Sequence, residues 1–167
     1  PLPDSRFTAA EHGCINEDIE LVPVSKAGST YLWSLDGGEL LDKGNKTYAA
    51  NWSIPGDKFI VLIVYSDFGC TSGPYSQLLT IHDKPIADIE KVSSYDVCAA
   101  DTVTLLAAYM ENIKYSWQSA TVLSGKEGLQ TSAIVKEPSA VVLTTENEWG
   151  CKNTDTALLT AHACCSI

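Results

Sequence analysis

The chain has 167 residues, 45% of them hydrophobic, and a formal net charge of −10 from 11 basic and 21 acidic side chains. That balance argues against a nucleic-acid face, which needs a basic stripe, and against binding to anionic membranes. No run reaches the roughly 18 apolar residues of a membrane span, and no signal peptide is present.

The sequence repeats itself in order. Trp33 and Trp117 lie 84 residues apart, as do Cys14 and Cys98, Asp4 and Asp88, and Pro1 and Pro85. Downstream the offset shrinks: Gly69-Cys70 returns as Gly150-Cys151 after 81 residues, and Leu78-Leu79-Thr80-Ile81-His82 as Leu158-Leu159-Thr160-Ala161-His162 after 80. The spacing describes two tandem units, residues 1–83 and 84–163, with 164–167 as the start of a following domain. Because Pro1 aligns with the linker residue Pro85, the chain is expected to be a piece of a longer protein, begun at a repeat boundary. Units of this size enclose small cores and are marginal without further support.

Unit one opens with a weak strand pattern over Ser5 to Ala10. Asp18 to Val24 alternates, with Ile19 and Leu21 inward. Thr30 to Leu35 is the strand that carries Trp33, and Asp36-Gly37-Gly38 is a turn. Leu40-Leu41 and Tyr48 to Trp52 fit short strands. Lys58 to Tyr65 is the most apolar run and predicts a central strand buried on both faces. Asp67 to Pro74 is a loop, and Tyr75 to His82 closes the unit. After a short linker, Asp83-Lys84-Pro85, unit two follows the same plan: Val103 to Ala107, Tyr115 to Gln118 with Trp117, Ser132 to Val135, Val141 to Leu143, a turn over Glu146 to Gly150, and Asp155 to Ala161. Leu105 to Asn112 has some helical character but reads as a strand running into a loop, as its counterpart does. Many short strands with frequent turn signals describe an all-β chain of two tandem β-sandwiches. Trp33 and Trp117 are each expected in a core.

There are six cysteines and no Cys-x-x-Cys, so zinc-ribbon and thioredoxin readings fail. Cysteines at repeat-equivalent places in small β-rich units indicate an oxidising compartment.

Cys98-Ala99-Ala100-Asp101-Thr102-Val103-Thr104-Leu105, Tyr115-Ser116-Trp117 and Gly150-Cys151 together resemble the Ig-like/PKD-type repeats of secreted Bacteroidetes proteins. Trp33-Ser34-Leu35-Asp36-Gly37-Gly38 is similar to the Trp-Asp-Phe-Gly-Asp-Gly of PKD domains, with a different order. Ala163-Cys164-Cys165-Ser166-Ile167 resembles the first residues of the C-terminal domain of gliding-motility-associated proteins. The resemblance implies a parent exported by the type IX secretion system and displayed on the cell surface, as an adhesin or stalk. Asp101-Thr102-Val103 and Asp155-Thr156-Ala157 resemble Asp-Thr-aliphatic sites of O-glycosylation in such proteins, which marks Thr102 and Thr156.

The simplest disulfide map pairs Cys14 with Cys70 and Cys98 with Cys151, each closing a loop worth roughly 4 kcal/mol. In an Ig-like sandwich, however, these positions fall at opposite ends. A bridge from Cys14 to Cys151 across the repeat junction is the alternative. Cys164 and Cys165 read as members of the following domain, unpaired in this chain.

No Ser-His-Asp order, phosphate-binding Gly loop or metalloprotease His pair is present, so no catalytic, cofactor or metal residues are assigned and the chain reads as a non-enzyme. His82 and His162 hold equivalent positions and, with His12, read as surface histidines. Asp36, Glu39 and Asp42 could hold calcium, but their spacing matches no EF-hand and a solvated turn is the plainer reading. Tyr48, Trp52 and Trp149 lie near turns, where aromatics stack on sugars or anchor protein contacts, although core packing is the commoner use. Two functions remain open: a spacer or adhesive stalk whose partners are neighbouring domains of its own chain, and a glycan- or protein-binding module, accessory to a secreted hydrolase in one version.

Overall fold

The computed structural model describes residues 2–24, 29–90 and 95–164. The chain forms two compact units, Pro1–Asp83 and Lys84–Ile167. Among the described residues no helix is long and apolar enough to cross a membrane.

Unit one contains β1 (Phe7–Thr8), β2 (His12–Cys14), β3 (Ile19–Pro23), β4 (Ser29–Ser34), β5 (Glu39–Gly44), β6 (Thr47–Asn51), β7 (Gly56–Ser66) and β8 (Tyr75–His82). One sheet runs β1-β3-β6-β5 and the other β2-β8-β7-β4. Unit two contains β9 (Ile89–Glu90), β10 (Asp96–Cys98), β11 (Asp101–Ala107), β12 (Lys114–Ser119), β13 (Gln130–Val135), β14 (Ser139–Glu146) and β15 (Lys152–His162). Its sheets run β13-β11-β9 and β10-β15-β14-β12. Both units are all-β Ig-like sandwiches. Where unit one has β5, unit two keeps a single bridge, Leu123 to Ala133.

Alternation decides which side chains meet between the sheets. Along β7, Ile60, Leu62 and Val64 are fully buried. Val61 and Ile63 are only half-buried, and Phe59 is 57% exposed. The expectation of burial on both faces is therefore corrected: the strand is central in its sheet, between β8 and β4, but only one face is covered. Leu21, Leu79 and Ile81 complete this core, and Val103, Leu105, Val141, Leu143 and Leu159 build the other.

The two units close over different indoles. Trp33 and Trp117 occupy the same register, opposite Leu62 and Leu143. Trp117 is 1% exposed, and its Nε1–H donates to the Gly128 carbonyl at 2.8 Å. Trp33 is only half-buried, and among the described residues its Nε1 has no partner. The central place in unit one belongs to Trp52, 2% exposed, whose Nε1–H donates to the Leu35 carbonyl at 2.7 Å. Trp33, expected in the core, packs at its edge instead, and Trp52 takes core packing, the commoner of its two expected uses, rather than a ligand contact. Trp52 directly follows β6 and fills the centre, so Trp33 sits at the rim against Phe7 and Tyr48, at centroid distances of 5.0 and 5.7 Å. In unit two, Lys136-Glu137-Pro138 follows β13, and no second indole competes.

Gly38 lies on the Trp52 ring. A Cβ there would stand 2.4 Å from Trp52 Cε2 and 2.5 Å from Nε1. Gly38→Ala is expected to destabilise unit one by about 1–3 kcal/mol through overpacking. Urea unfolding followed by tryptophan fluorescence should show the unit-one transition moved and the unit-two transition unchanged; equal behaviour of variant and parent would contradict the packing described.

Candidate functional site: the terminal-strand clamp

Each unit pairs a strand near its start with its last strand, and the pairing is parallel. In unit one β2 runs beside β8 with His12, Gly13 and Cys14 opposite Thr80, Ile81 and His82. The Thr80 amide donates to the Glu11 carbonyl at 2.9 Å, and the Ile15 amide to the His82 carbonyl at 3.0 Å. In unit two β10 runs beside β15 with Asp96, Val97 and Cys98 opposite Thr160, Ala161 and His162. The matching bonds run from the Thr160 amide to the Tyr95 carbonyl at 2.7 Å and from the Ala99 amide to the His162 carbonyl at 2.9 Å. Gly13 leaves room for the Ile19 side chain of β3, whose Cδ1 a Cβ there would strike.

Side chains extend each clamp. The Thr80 hydroxyl donates to Asp57 at 2.8 Å. His12 Nδ1 faces His82 Nε2 at 3.0 Å, bringing together two histidines that are 70 residues apart in sequence. In unit two Asp96 stands where His12 does; its Oδ1 accepts from the Thr160 hydroxyl at 2.8 Å and meets His162 Nδ1 at 3.3 Å. Those bonds, Thr160 first and then His162, hold the Asp96 carboxyl below its usual range. A depressed carboxyl stabilises the fold at neutral pH and loses that contribution as pH falls through its folded-state pKa.

The same topology sets the cysteine chemistry. Cys98 bonds to Cys164, with Cα atoms 5.4 Å apart. Cys70 is an exposed free thiol. Cys14 and Cys151 are buried, and each is disulfide-bonded. The Cys14–Cys70 and Cys98–Cys151 pairings are thus corrected, as is the reading of Cys164 as unpaired. Cys14 lies opposite His82, the last residue of β8, whereas Cys70 precedes its first, so a strand of roughly 25 Å separates them. The longer β15 separates Cys98 from Cys151 in the same way, while Cys164 lies just past its far end.

The other candidates do not converge. Tyr48 joins Tyr31 and Trp33 in a half-buried aromatic cluster. Trp149, 46% exposed, sits on a turn of unit two that Asn147 organises by accepting from the Trp149 and Cys151 amides. Asp36 and Asp42 accept from the amides of Phe59 and Gly44 and thereby hold turns. Thr102 and Thr156 are exposed on β11 and β15. On unit two an open hollow of about 790 Å³ follows the edge of β12, lined by Ser116, Gln118, Lys126, Glu127 and Val142 among others.

No protein-family model matches the chain, and no curated protein matches it. Solved structures do. The C-terminal 282-residue fragment of intimin, crystallised with the intimin-binding domain of the translocated intimin receptor (Tir), is similar over 95% of this chain, with 15% identity and a TM-score of 0.50. The chain spans 64% of that fragment's length. The D00-D0 domain of intimin is matched over its whole length at 13% identity and TM-score 0.36, covering 93% of this chain. The SGBP-B protein of a Bacteroides ovatus mixed-linkage glucan utilization locus, in complex with a heptasaccharide, gives 15% identity and TM-score 0.37 over 96% of this chain and 45% of its own. At these identities the likeness concerns the fold.

Two predictions test the clamp. Ala100, in the turn after β10, has φ +73°, and its counterpart Asn16 has φ +56°. A left-handed alanine costs on the order of 1 kcal/mol, so Ala100→Gly should raise the stability of unit two by about that much in urea; a loss of stability would show that the turn is not strained. Non-reducing peptide mapping should recover Cys98 linked to Cys164, with Cys70 alone among the described cysteines alkylated in native buffer. Cys164→Ser, which opens a 66-residue separation, should cost about 4 kcal/mol from loop closure.

Proposed function

We propose that the chain is an extracellular, tension-bearing strut of a larger surface protein. The observation that carries this reading is the parallel pairing of an early strand with the last strand in both units, with Cys98–Cys164 fastening one end of that pairing in unit two. Tension enters near one clamp strand and leaves at the far end of its partner. Parallel neighbours pulled in this way slide along their common axis, so all their hydrogen bonds resist together rather than opening one by one. The disulfide adds a covalent path that carries load past the residues between its ends. An oxidised bond of this kind also suits an extracellular location. The resemblance to Bacteroidetes surface repeats supports reading such a strut as part of an adhesin or stalk ahead of a secretion-associated domain, with the exposed Thr102 and Thr156 hydroxyls as candidate glycan attachment points.

A second reading is a glycan- or protein-binding module. It is favoured by the open hollow beside β12 and by the exposed Trp149. Buried Trp52 makes no contribution to it. Glycan-array retention that depends on Trp149 or Lys126 would support this reading over the strut.

Single-molecule pulling tests the strut. Reductant should lengthen the fully extended chain by at least about 220 Å, the reach of the 66 residues that Cys98–Cys164 closes off. In reducing buffer, Ala99→Pro removes the amide that bonds His162 and should lower the unfolding force of unit two. Unchanged length on reduction, or unchanged force in the variant, would overturn the load path.

A further inference from the structure

We infer that His12 and His82 form a binding site for a divalent transition-metal ion, one that prefers nickel or copper to zinc. The two imidazoles come from the paired strands β2 and β8 and present His12 Nδ1 and His82 Nε2 to each other at 3.0 Å. The rings lie 5.2 Å apart, tilted by 38°. In the metal-free chain one nitrogen donates a proton to the other. When both side chains carry their protons on the outer nitrogens, His12 Nε2 and His82 Nδ1, the two inner lone pairs are available to one ion.

The separation selects the metal. At metal–nitrogen distances of about 2.0–2.1 Å, nitrogens 3.0 Å apart subtend an angle of roughly 95° at the ion. That is near the 90° of square-planar or tetragonal copper(II) and nickel(II). A tetrahedral zinc ion would hold the same atoms about 3.3 Å apart. The ladder already fixes the two Cα positions, so the two lone pairs turn onto one ion by small ring rotations that keep the nitrogens close to this separation. His12 is exposed and His82 half-buried, so water can complete the coordination. Unit two provides an internal control. Aspartate replaces His12 at position 96, and the clamp there is closed by Cys98–Cys164 instead. The ligand atoms of Cys98, Cys164 and His162 lie within 4.8 Å of one another, but their sulfurs are joined in the disulfide.

The test is calorimetric titration of the tag-free chain with nickel chloride and, separately, zinc chloride, with Cys70→Ser and Cys165→Ser in place so that neither thiol competes. Nickel should bind at one site, more tightly than zinc. His12→Ala and His82→Ala should each weaken nickel at least tenfold, while His162→Ala leaves it unchanged. Nickel should also raise the melting midpoint of unit one in the parent and not in His12→Ala. Nickel binding that survives both His12→Ala and His82→Ala would overturn the site. Zinc bound more tightly than nickel would overturn the geometric preference. Neither result depends on whether the clamp bears load.

Discussion

A sandwich of about 80 residues is most easily lost from its ends, where short strands have few neighbours. In this chain the parallel contact between an early strand and the last strand addresses that weakness in both units. Parallel strands cannot be joined by a hairpin, so the pairing forms only once the strands between are in place. Formation of β2–β8 or β10–β15 is therefore a consequence of the whole unit being folded, and it ties the two ends of each unit to the same core. The disulfide between Cys98 and Cys164 exists because this pairing brings the end of β10 beside the end of β15.

The same constraint is met with different side chains in the two units. At the exposed end of the clamp, unit one sets histidine against histidine and unit two sets aspartate against histidine. Unit two adds a covalent bond. The turn that follows also differs: Asn16, a residue that tolerates the left-handed region, becomes Ala100, which does not. The core diverged too. Trp52 anchors unit one through Leu35, and Trp117 anchors unit two through Gly128. Each indole N–H finds a loop carbonyl, since a buried donor left unpaired is costly. The requirement was kept while the position supplying it changed.

This explains what could be read from the sequence. The repeat, the fold class and alternating strands such as β3 were legible because burial on one face leaves a period of two, whereas β7 was legible only as a continuous apolar run, which hid that one of its faces is uncovered. The clamp was not. β2 and β10 are three residues each, His12–Cys14 and Asp96–Cys98, too short to carry a period. Their paired residues lie 68 and 64 positions away, and sequence spacing carries no sign of parallel pairing over that distance. One signal was present: His12 and Asp96 share the 84-residue offset, and His82 and His162 share the 80-residue one. Two polar positions kept in step with the two cysteines, Cys14 and Cys98, marked the first and last strands as a pair.

The cysteines show why spacing alone misleads. Cys14 and Cys70 recur together with Cys98 and Cys151, and recurrence invites pairing within each unit. A disulfide requires Cα atoms within about 7 Å, and the length of the intervening strand decides that more firmly than recurrence does. Cys70 and Cys151 each precede the last strand of their unit, at the end away from Cys14 and Cys98. A cysteine can bridge to Cys98 only if it follows β15, as Cys164 does. Cys164, beyond the repeat pattern, thus belongs physically to unit two. The length of β15 sets where the clamp ends and where the bridge can form.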